Sequence, residues 1–379
     1  MDSIISRRFT QKDKKKLNEL YNLVFNRSRT IENFEWEFTN NPQGAMHSWV
    51  LEDSKSSRII GHYGLIPIEF ICFGKTILVG KTENTMLHPQ YRSRGLYQPF
   101  EVSCIHKASQ NFSLIWVSYS AATTAHAKAG YILVGELISY IYINKTSITH
   151  ILENLIKGRI SNGIISIFLQ KLSQPIAHIF AFLFSKNIVI DSEIKLEKVK
   201  AIDSIAKEIT ELWDNVKADY GITAQRNIPY LQWRIFDNPY LKYEFYIALK
   251  QGKVVGYVII RITNNGENKR GIIVDILVAD QKSKMLDSIL SQAITIFFKK
   301  GVYQIEFPTL KSTNFINKAL KRNGFVSFSM LKKVMRKATS REYKGSLLMA
   351  KILDDKLDPM KVSNPAYWYF TNIFTEGIT

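Results

Sequence analysis

The sequence predicts an α/β fold of the α+β kind, with two mixed-sheet domains joined by a helical segment. Three observations predict it. The chain has 379 residues, more than one hydrophobic core ordinarily organises. Short apolar runs of strand character alternate with stretches of helical spacing in both halves. A set of landmarks in the first half returns, in the same order, in the second. Phe34-Glu35-Trp36-Glu37-Phe38-Thr39-Asn40-Asn41-Pro42 is echoed by Tyr230-Leu231-Gln232-Trp233-Arg234-Ile235-Phe236-Asp237-Asn238-Pro239. Trp36 and Trp233 stand at the same separation as Pro42 and Pro239, and Gly61 with Gly256 and Gly130 with Gly324 keep nearly that spacing. Chance matches would not preserve it, so the fold is read as duplicated. The expected boundaries are 1–147, a helical linker or hairpin over 148–190, and 191–379 with an added terminal segment.

The elements follow from the side chains in order. Residues 3–9 read as a strand. Residues 11–26 read as a helix, because Leu17, Leu20, Tyr21, Val24 and Phe25 recur at helical spacing and Thr10 with Asp13 forms a capping pair. Strands are expected over 46–52 and 58–70, separated by the polar turn Asp53-Ser54-Lys55-Ser56, and over 75–88. The next helix is expected to begin near Gln98, since Pro99 fits only a first helical turn. A strand at 113–118, a helix at 121–129 ended by Gly130, and closing strands within 131–144 complete the first half. In the second half, a central strand at 271–279 passes through Asp280-Gln281-Lys282-Ser283-Lys284 without a glycine. The terminal piece 346–370 adds a strand and the aromatic run Tyr367-Trp368-Tyr369-Phe370, which suits either a sealed core or a substrate groove.

Composition excludes several classes. A hydrophobic share of 46% rules out an extended or disordered chain. The formal charge of +18 suits a polyanionic partner, yet the lysines form no tail and no nucleic-acid motif focuses them, so no nucleic-acid partner is expected. Two cysteines, Cys72 and Cys104, are too few for a disulfide framework. The histidines have no metal-site spacing, and no metal is expected. The start of the chain has no apolar signal core, and the apolar runs at 164–169 and 176–184 fall short of the roughly 20 residues a spanning helix needs. The expectation is a cytoplasmic protein with no membrane span, a peripheral contact near 148–190 staying open, as monomer or homodimer.

The chemistry points to one stretch. The strand ending in Thr82-Glu83-Asn84-Thr85-Met86-Leu87 runs into His88-Pro89-Gln90-Tyr91 and then Arg92-Ser93-Arg94-Gly95-Leu96-Tyr97, which opens a helix. Two arginines, a glycine that lets backbone come close, and unpaired helix N–H groups suit a phosphate or pyrophosphate.

This stretch, placed after a central strand and followed at helical distance by His126-Ala127-Lys128-Ala129-Gly130-Tyr131, resembles the GCN5-related N-acetyltransferase (GNAT) superfamily. There an Arg/Gln-x-x-Gly-x-Gly/Ala loop binds the pyrophosphate of acyl-coenzyme A, and splayed strands hold the pantetheine arm. Tyr97 departs from the small residue that ends the family's loop. The resemblance implies two GNAT-like domains, only the first carrying the motif. It implies cofactor contacts at Leu87, Arg92, Ser93, Arg94, Gly95, Leu96 and Tyr97. It also implies Glu83 as a base for the attacking amine, and His126 or Tyr119 as the acid that protonates the departing thiolate. His62, Tyr63, Ser118, Ser120 and Trp368 are the substrate-side candidates, with His88 a further one. Length and duplication also resemble bacterial nucleotide-sugar N-acyltransferases. These use acetyl-CoA or 3-hydroxybutanoyl-CoA and a dTDP- or UDP-linked amino sugar in surface polysaccharide (lipopolysaccharide or O-antigen) assembly. Acyl transfer to a peptide, aminoacyl or antibiotic amine, and a non-catalytic tandem-GNAT binding protein, are the alternatives.

Overall fold

The structure, a computed structural model, describes residues 3–119, 123–142, 149, 191–265, 268–282, 284–327 and 346–375. The first half runs β1 (Ile4–Arg8), α1 (Lys14–Phe25), α2 (Ile31–Phe38), β2 (His47–Asp53), β3 (Arg58–Cys72), β4 (Lys75–Leu87), α3 (Tyr97–Ala108), β5 (Leu114–Tyr119), α4 (Thr123–Lys128) and β6 (Ile132–Tyr142). The second runs β7 (Ile194–Val199), α5 (Ala206–Val216), β8 (Ile222–Ala224), α6 (Ile228–Leu231), β9 (Tyr243–Lys250), β10 (Lys253–Asn265), β11 (Asn268–Val278), α7 (Met285–Lys299), β12 (Gln304–Leu310), α8 (Phe315–Arg322), β13 (Phe325–Ser327), β14 (Ser346–Ile352) and α9 (Pro359–Val362). Apart from residue 149, the helical segment expected over 148–190 lies outside the described residues. No helix among the described residues is long and apolar enough to cross a membrane.

Local chemistry explains the ends of the elements. The Asp13 carboxylate accepts the Thr10 backbone N–H at 2.8 Å, and α1 follows a single 3-10 turn. It stops at Asn26, whose φ of 51° is left-handed and suits asparagine. The echoed segment 34–38 is helical: Thr30 caps α2 by accepting the Asn33 N–H at 3.2 Å, and Phe34, Trp36 and Phe38 are buried. α3 begins at Tyr97 and not at Gln98, because Pro99 then falls in the first turn, where no intrahelical donor is required.

The chain forms two compact units, and the first draws in distant segments: Met1–Glu136, Lys217–Tyr240 and Gly345–Trp368. Its strand order is β1-β2-β3-β4-β5-β14, with β8 pairing the far end of β3. Neighbours are antiparallel except β4 and β5, which are parallel. A core that includes Trp49, Ile60, Leu65, Phe100, Cys104, Ile105 and Ile115 packs α3 on the sheet. Cys72 and Cys104 are both free and buried. The two landmark tryptophans meet within this unit. Their rings stack 5.2 Å apart, Trp36 Nε1 donates to the Trp233 carbonyl at 3.0 Å, and Trp233 Nε1 donates to the Trp36 carbonyl at 3.1 Å.

The second unit, Leu137–Val216, Leu241–Lys344 and Tyr369–Thr379, orders its strands β7-β9-β10-β11-β12 and then the 137–142 part of β6. The succession of pairings is the same as in the first: three antiparallel, one parallel, one antiparallel.

In each unit the parallel pair comes apart. β4 and β5 pair only at Val79–Leu114, Gly80–Ile115 and Lys81–Trp116, although both strands run on. β11 and β12 pair only at Arg270–Gln304, Gly271–Ile305 and Ile272–Glu306. The second unit fills its gap with its own chain end. Thr371 bridges Thr309, Thr309 Oγ1 donates to the Phe370 carbonyl at 2.5 Å, and Thr371 Oγ1 donates to Asp275 at 2.7 Å. The Tyr369 hydroxyl donates to the Ile276 carbonyl.

Candidate active site

The site is assembled where β4 leaves β5. Beyond the last shared rung, Thr82 Oγ1 donates to the Trp116 carbonyl at 3.1 Å, and from there the β4 edge over 82–87 faces an opening between strands. Glu83 is the next residue. Its side chain keeps 21% exposure and is held by an ion pair with Lys81, which sits two residues earlier on the same face.

A bulge follows Glu83. The β3–β4 register shifts between His62–Met86 and Gly64–Glu83, and Asn84 takes a φ of 51°. Three side chains hold it. His62 Nδ1 lies 2.7 Å from the Asn84 carbonyl, which can only accept, so Nδ1 carries the proton. Nε2 then accepts from Ser48 Oγ at 2.6 Å. Asn84 Nδ2 donates to Glu37, whose other oxygen takes Arg29 Nη1 at 2.9 Å. Burial pushes the His62 imidazole down to about 4 and the Glu37 carboxyl up to about 8, Arg29 partly offsetting the latter.

The loop beyond β4 is a turn over Pro89–Tyr91 closed by Arg92, whose Nε donates to the Leu87 carbonyl at 3.2 Å. Arg92, Ser93, Arg94 and Gly95 are exposed. Ser93 has a φ of 61° and Gly95 one of 72°, and a side chain added at Gly95 would meet nothing within 4 Å. The loop therefore has the backbone freedom and the open space an anion needs. It leads into α3, whose first turn has no side-chain cap. Arg94 lies over the Tyr91 ring at 4.8 Å, and the Tyr91 hydroxyl donates to Asp53 at 3.0 Å. Beside them a cavity of about 430 Å³ is lined by Ser3, Ile4, Asp53, Tyr91, Arg94 and Leu96.

Tyr97 is half-buried and turned back toward the helix: burial, and then the charge of Glu101, push its phenol far above the usual range. A tyrosine here thus lies against α3. His126, on α4, is buried, with Nδ1 2.7 Å from Glu101 Oε1. Tyr63 is fully buried and shares a 2.9 Å hydroxyl contact with Tyr131. Trp368 is 1% exposed, its Nε1 bonded to the Val362 carbonyl at 2.8 Å. His88 is buried, with Arg58 Nη2 2.8 Å from its Nε2. Ser118 and Tyr119 lie on β5 in register with Leu348 and Leu347. Ser120 and the Tyr119 side chain are outside the described residues.

The structure thus brings Glu83, Leu87 and the 92–96 loop to one end of β4, with His62 beneath the bulge. Trp368 it places in a core. Lys81, Asn84, Glu37 and Arg29 belong to the same constellation and are absent from the sequence candidates. The polar run Lys81-Thr82-Glu83-Asn84-Thr85, which interrupts the alternation of the strand, was the available sign of an irregularity there. Nothing local ties Glu37 or Arg29 to β4. Among the described residues no group of three or more His, Cys, Asp or Glu could hold a metal ion.

No protein-family model and no curated protein matches the chain by sequence. Solved structures do match. A conserved Enterococcus faecalis protein described as a probable N-acyltransferase superposes with a TM-score of 0.62 at 14% identity, over 93% of this chain and 72% of that one. A GCN5-related N-acetyltransferase from Anabaena variabilis gives 0.60 at 12% identity, over 92% and 73%. Saccharomyces cerevisiae N-myristoyltransferase with bound myristoyl-CoA gives 0.55 at 11%, over 95% and 84%. The opening of β4 from β5, the bulge and the glycine loop therefore sit in a chain that has the fold of the GCN5-related N-acetyltransferases.

Proposed function

We propose that the chain is an acyl-coenzyme A-dependent N-acyltransferase built from two copies of one fold, with its cofactor site in the first. The observation that carries this reading is the parting of β4 from β5 after Lys81–Trp116, directly before an exposed Arg-Ser-Arg-Gly loop. Arg92, Ser93, Arg94, Gly95 and the first N–H groups of α3 suit a pyrophosphate, and the unpaired edge of β4 suits the amides of a pantetheine arm. The superposed structures are named as N-acyl transferring proteins, which supports the same reading.

Acyl-coenzyme A supplies a thioester carbonyl open to attack by an amine. The chain's residues position the amine beside it and take its proton. Glu83 stands at the opening, oriented by Lys81, and accepts that proton directly or through water. The acceptor we propose is the amine of a dTDP- or UDP-linked amino sugar; a charge of +18 suits two phosphorylated substrates. The second unit takes no cofactor, because Phe370 and Thr371 already occupy its strand gap and the loop after β11 has no glycine.

The test begins with calorimetry. Coenzyme A binds with one site per chain, and a panel of dTDP- and UDP-amino sugars, aminoacyl and peptide amines then identifies the acceptor. Glu83→Gln is expected to lower kcat by roughly a hundredfold or more while leaving coenzyme A affinity unchanged. No binding at millimolar coenzyme A overturns the proposal, and turnover only with peptide amines replaces the acceptor.

A further inference from the structure

A second cavity in the first unit, of about 400 Å³, shares no lining residue with the one beside Tyr91. Its volume falls in the range that small-molecule sites occupy. α1 contributes Lys16 and Glu19, the turn between β2 and β3 contributes Ser56 and Ser57, Arg58 opens β3, and His88 follows the end of β4. The turn brings the two cations together. Ser57 takes a φ of 50°, and its carbonyl accepts from Lys16 Nζ at 2.8 Å. An ammonium has three donors and a guanidinium five, so both cations keep donors beyond the single bond each makes here. Among the described residues neither has a carboxylate at ion-pair distance, Glu19 of the same lining included.

His88 gives a second, independent sign. It is buried, and both of its ring nitrogens face donors: Arg58 Nη2 lies 2.8 Å from Nε2, and the Gln90 backbone N–H points at Nδ1 from 3.2 Å. Burial, and then the charges of Arg58 and Arg92, hold the imidazole below its usual range, so the ring is neutral at neutral pH and carries one proton. A neutral ring accepts at one nitrogen only, and one N–H is therefore set against another. The bond from Gln90 caps the turn over Pro89–Tyr91 that starts the anion loop, which assigns the proton to Nε2 and the opposition to Arg58. An acceptor entering beside the two side chains takes an N–H from each. The charges of Lys16 and Arg58 favour an anion in that place.

We propose that this cavity is a second anion subsite, in which Lys16, Arg58 and His88 bind one phosphate group. It stands apart from the loop at 92–95 and lies at its base, where Arg92 Nε donates to the Leu87 carbonyl. The source of the phosphate, though not the chemistry that holds it, rests on the acyl-transfer reading. The group is then either the 3′-phosphate of coenzyme A or a phosphate of the acceptor.

Calorimetry on the intact chain tests the subsite with inorganic phosphate and its source with coenzyme A, dephospho-coenzyme A and dTDP. Lys16→Gln and Arg58→Gln each remove one cation from the cavity. Lys15→Gln removes the same charge from an exposed position of α1 outside the lining. Each cavity variant is expected to weaken inorganic phosphate by about tenfold, the loss of one charge-assisted hydrogen bond, and Lys15→Gln to leave it unchanged. An equal loss for coenzyme A, with dephospho-coenzyme A unmoved, assigns the 3′-phosphate; an equal loss for dTDP assigns the acceptor. Unchanged phosphate affinity in both cavity variants, or the same loss in Lys15→Gln, overturns the subsite. Failure of the wild type to bind either coenzyme overturns the acyl-transfer reading, and the phosphate titrations decide the subsite without it.

Discussion

Gly95 offers the cleanest test of the anion loop, because the fold supplies its own control. Gly95 has a φ of 72°, and a Cβ built there meets nothing within 4 Å. Gly74, in the turn between β3 and β4, has a φ of 81° and is equally unobstructed. Alanine at either position therefore meets the same penalty, the left-handed backbone, of about 1–2 kcal/mol, without a packing clash. For a chain of this size that lowers Tm by only a few degrees, on the order of 2–4 °C per kcal/mol. The consequences for binding differ. A methyl group at Gly95 projects into the space an approaching phosphate would use, whereas one at Gly74 projects into solvent far along the sheet. Gly95→Ala is expected to weaken coenzyme A binding by at least about tenfold, equivalent to about 1.4 kcal/mol, and Gly74→Ala to leave it unchanged. Paired calorimetric titrations and melting curves read both quantities. Equal affinities for the two variants at equal stability would refute the reasoning that this backbone cradles an anion.

The remaining predictions concern the frame around the site. Trp36→Phe leaves the Trp233 carbonyl without its buried donor, at a cost of about 1–3 kcal/mol in denaturant unfolding; because the two indoles bond reciprocally, Trp36→Phe with Trp233→Phe costs less than the sum of the singles. His62, whose imidazole burial depresses from 6.5 to about 4, favours the folded chain most above pH 6.5 and loses that contribution as pH falls through 4, a change of about 3 kcal/mol. Urea midpoints measured from pH 7 to 4 should show that slope, and His62→Gln should flatten it. Thr371→Val removes the donor to Asp275 in the second unit and is expected to cost about 1–2 kcal/mol of stability with no effect on coenzyme A affinity; a second binding site appearing in that variant would contradict one site per chain.

Much of the scaffold was written locally. The helical spacing of Leu17, Leu20 and Tyr21 gave α1, alternation and turn residues gave β2 to β4 within a residue or two, and the basic stretch with Gly95 is a loop between β4 and α3. What local pattern could not supply was facing. Nearly every residue of β3 is buried because both its faces are covered, so a period of two assigns neither His62 nor Tyr63 to a groove, and both proved to be internal. The aromatic run at 367–370 posed the same problem. Trp368 packs with Phe70 and Tyr369 turns to Ile276, contacts between residues far apart in sequence that periodicity does not encode. Glu37 was invisible for a related reason. It lies among the landmark residues of α2, and only folding brings it to Asn84 on β4.

The two units also show how one framework can leave the gap between its parallel strands open or fill it. Both part their parallel strands after three rungs, so the parting belongs to the framework and not to the ligand. An open gap leaves strand N–H and C=O groups without partners, which is tolerable only where solvent, a ligand or more chain satisfies them. In the second unit Thr309, Asp275 and the Ile276 carbonyl are satisfied by Phe370, Thr371 and Tyr369, and a filled gap gains nothing from a phosphate loop at its end. In the first unit the gap leads to Gly95, a positive-φ position that glycine adopts without strain and whose surroundings are open, so packing gives no reason for the loop to lie there. The loop and the open gap are therefore read as one feature: each makes physical sense beside the other, and the second unit, whose gap is filled, has no glycine in the loop after β11.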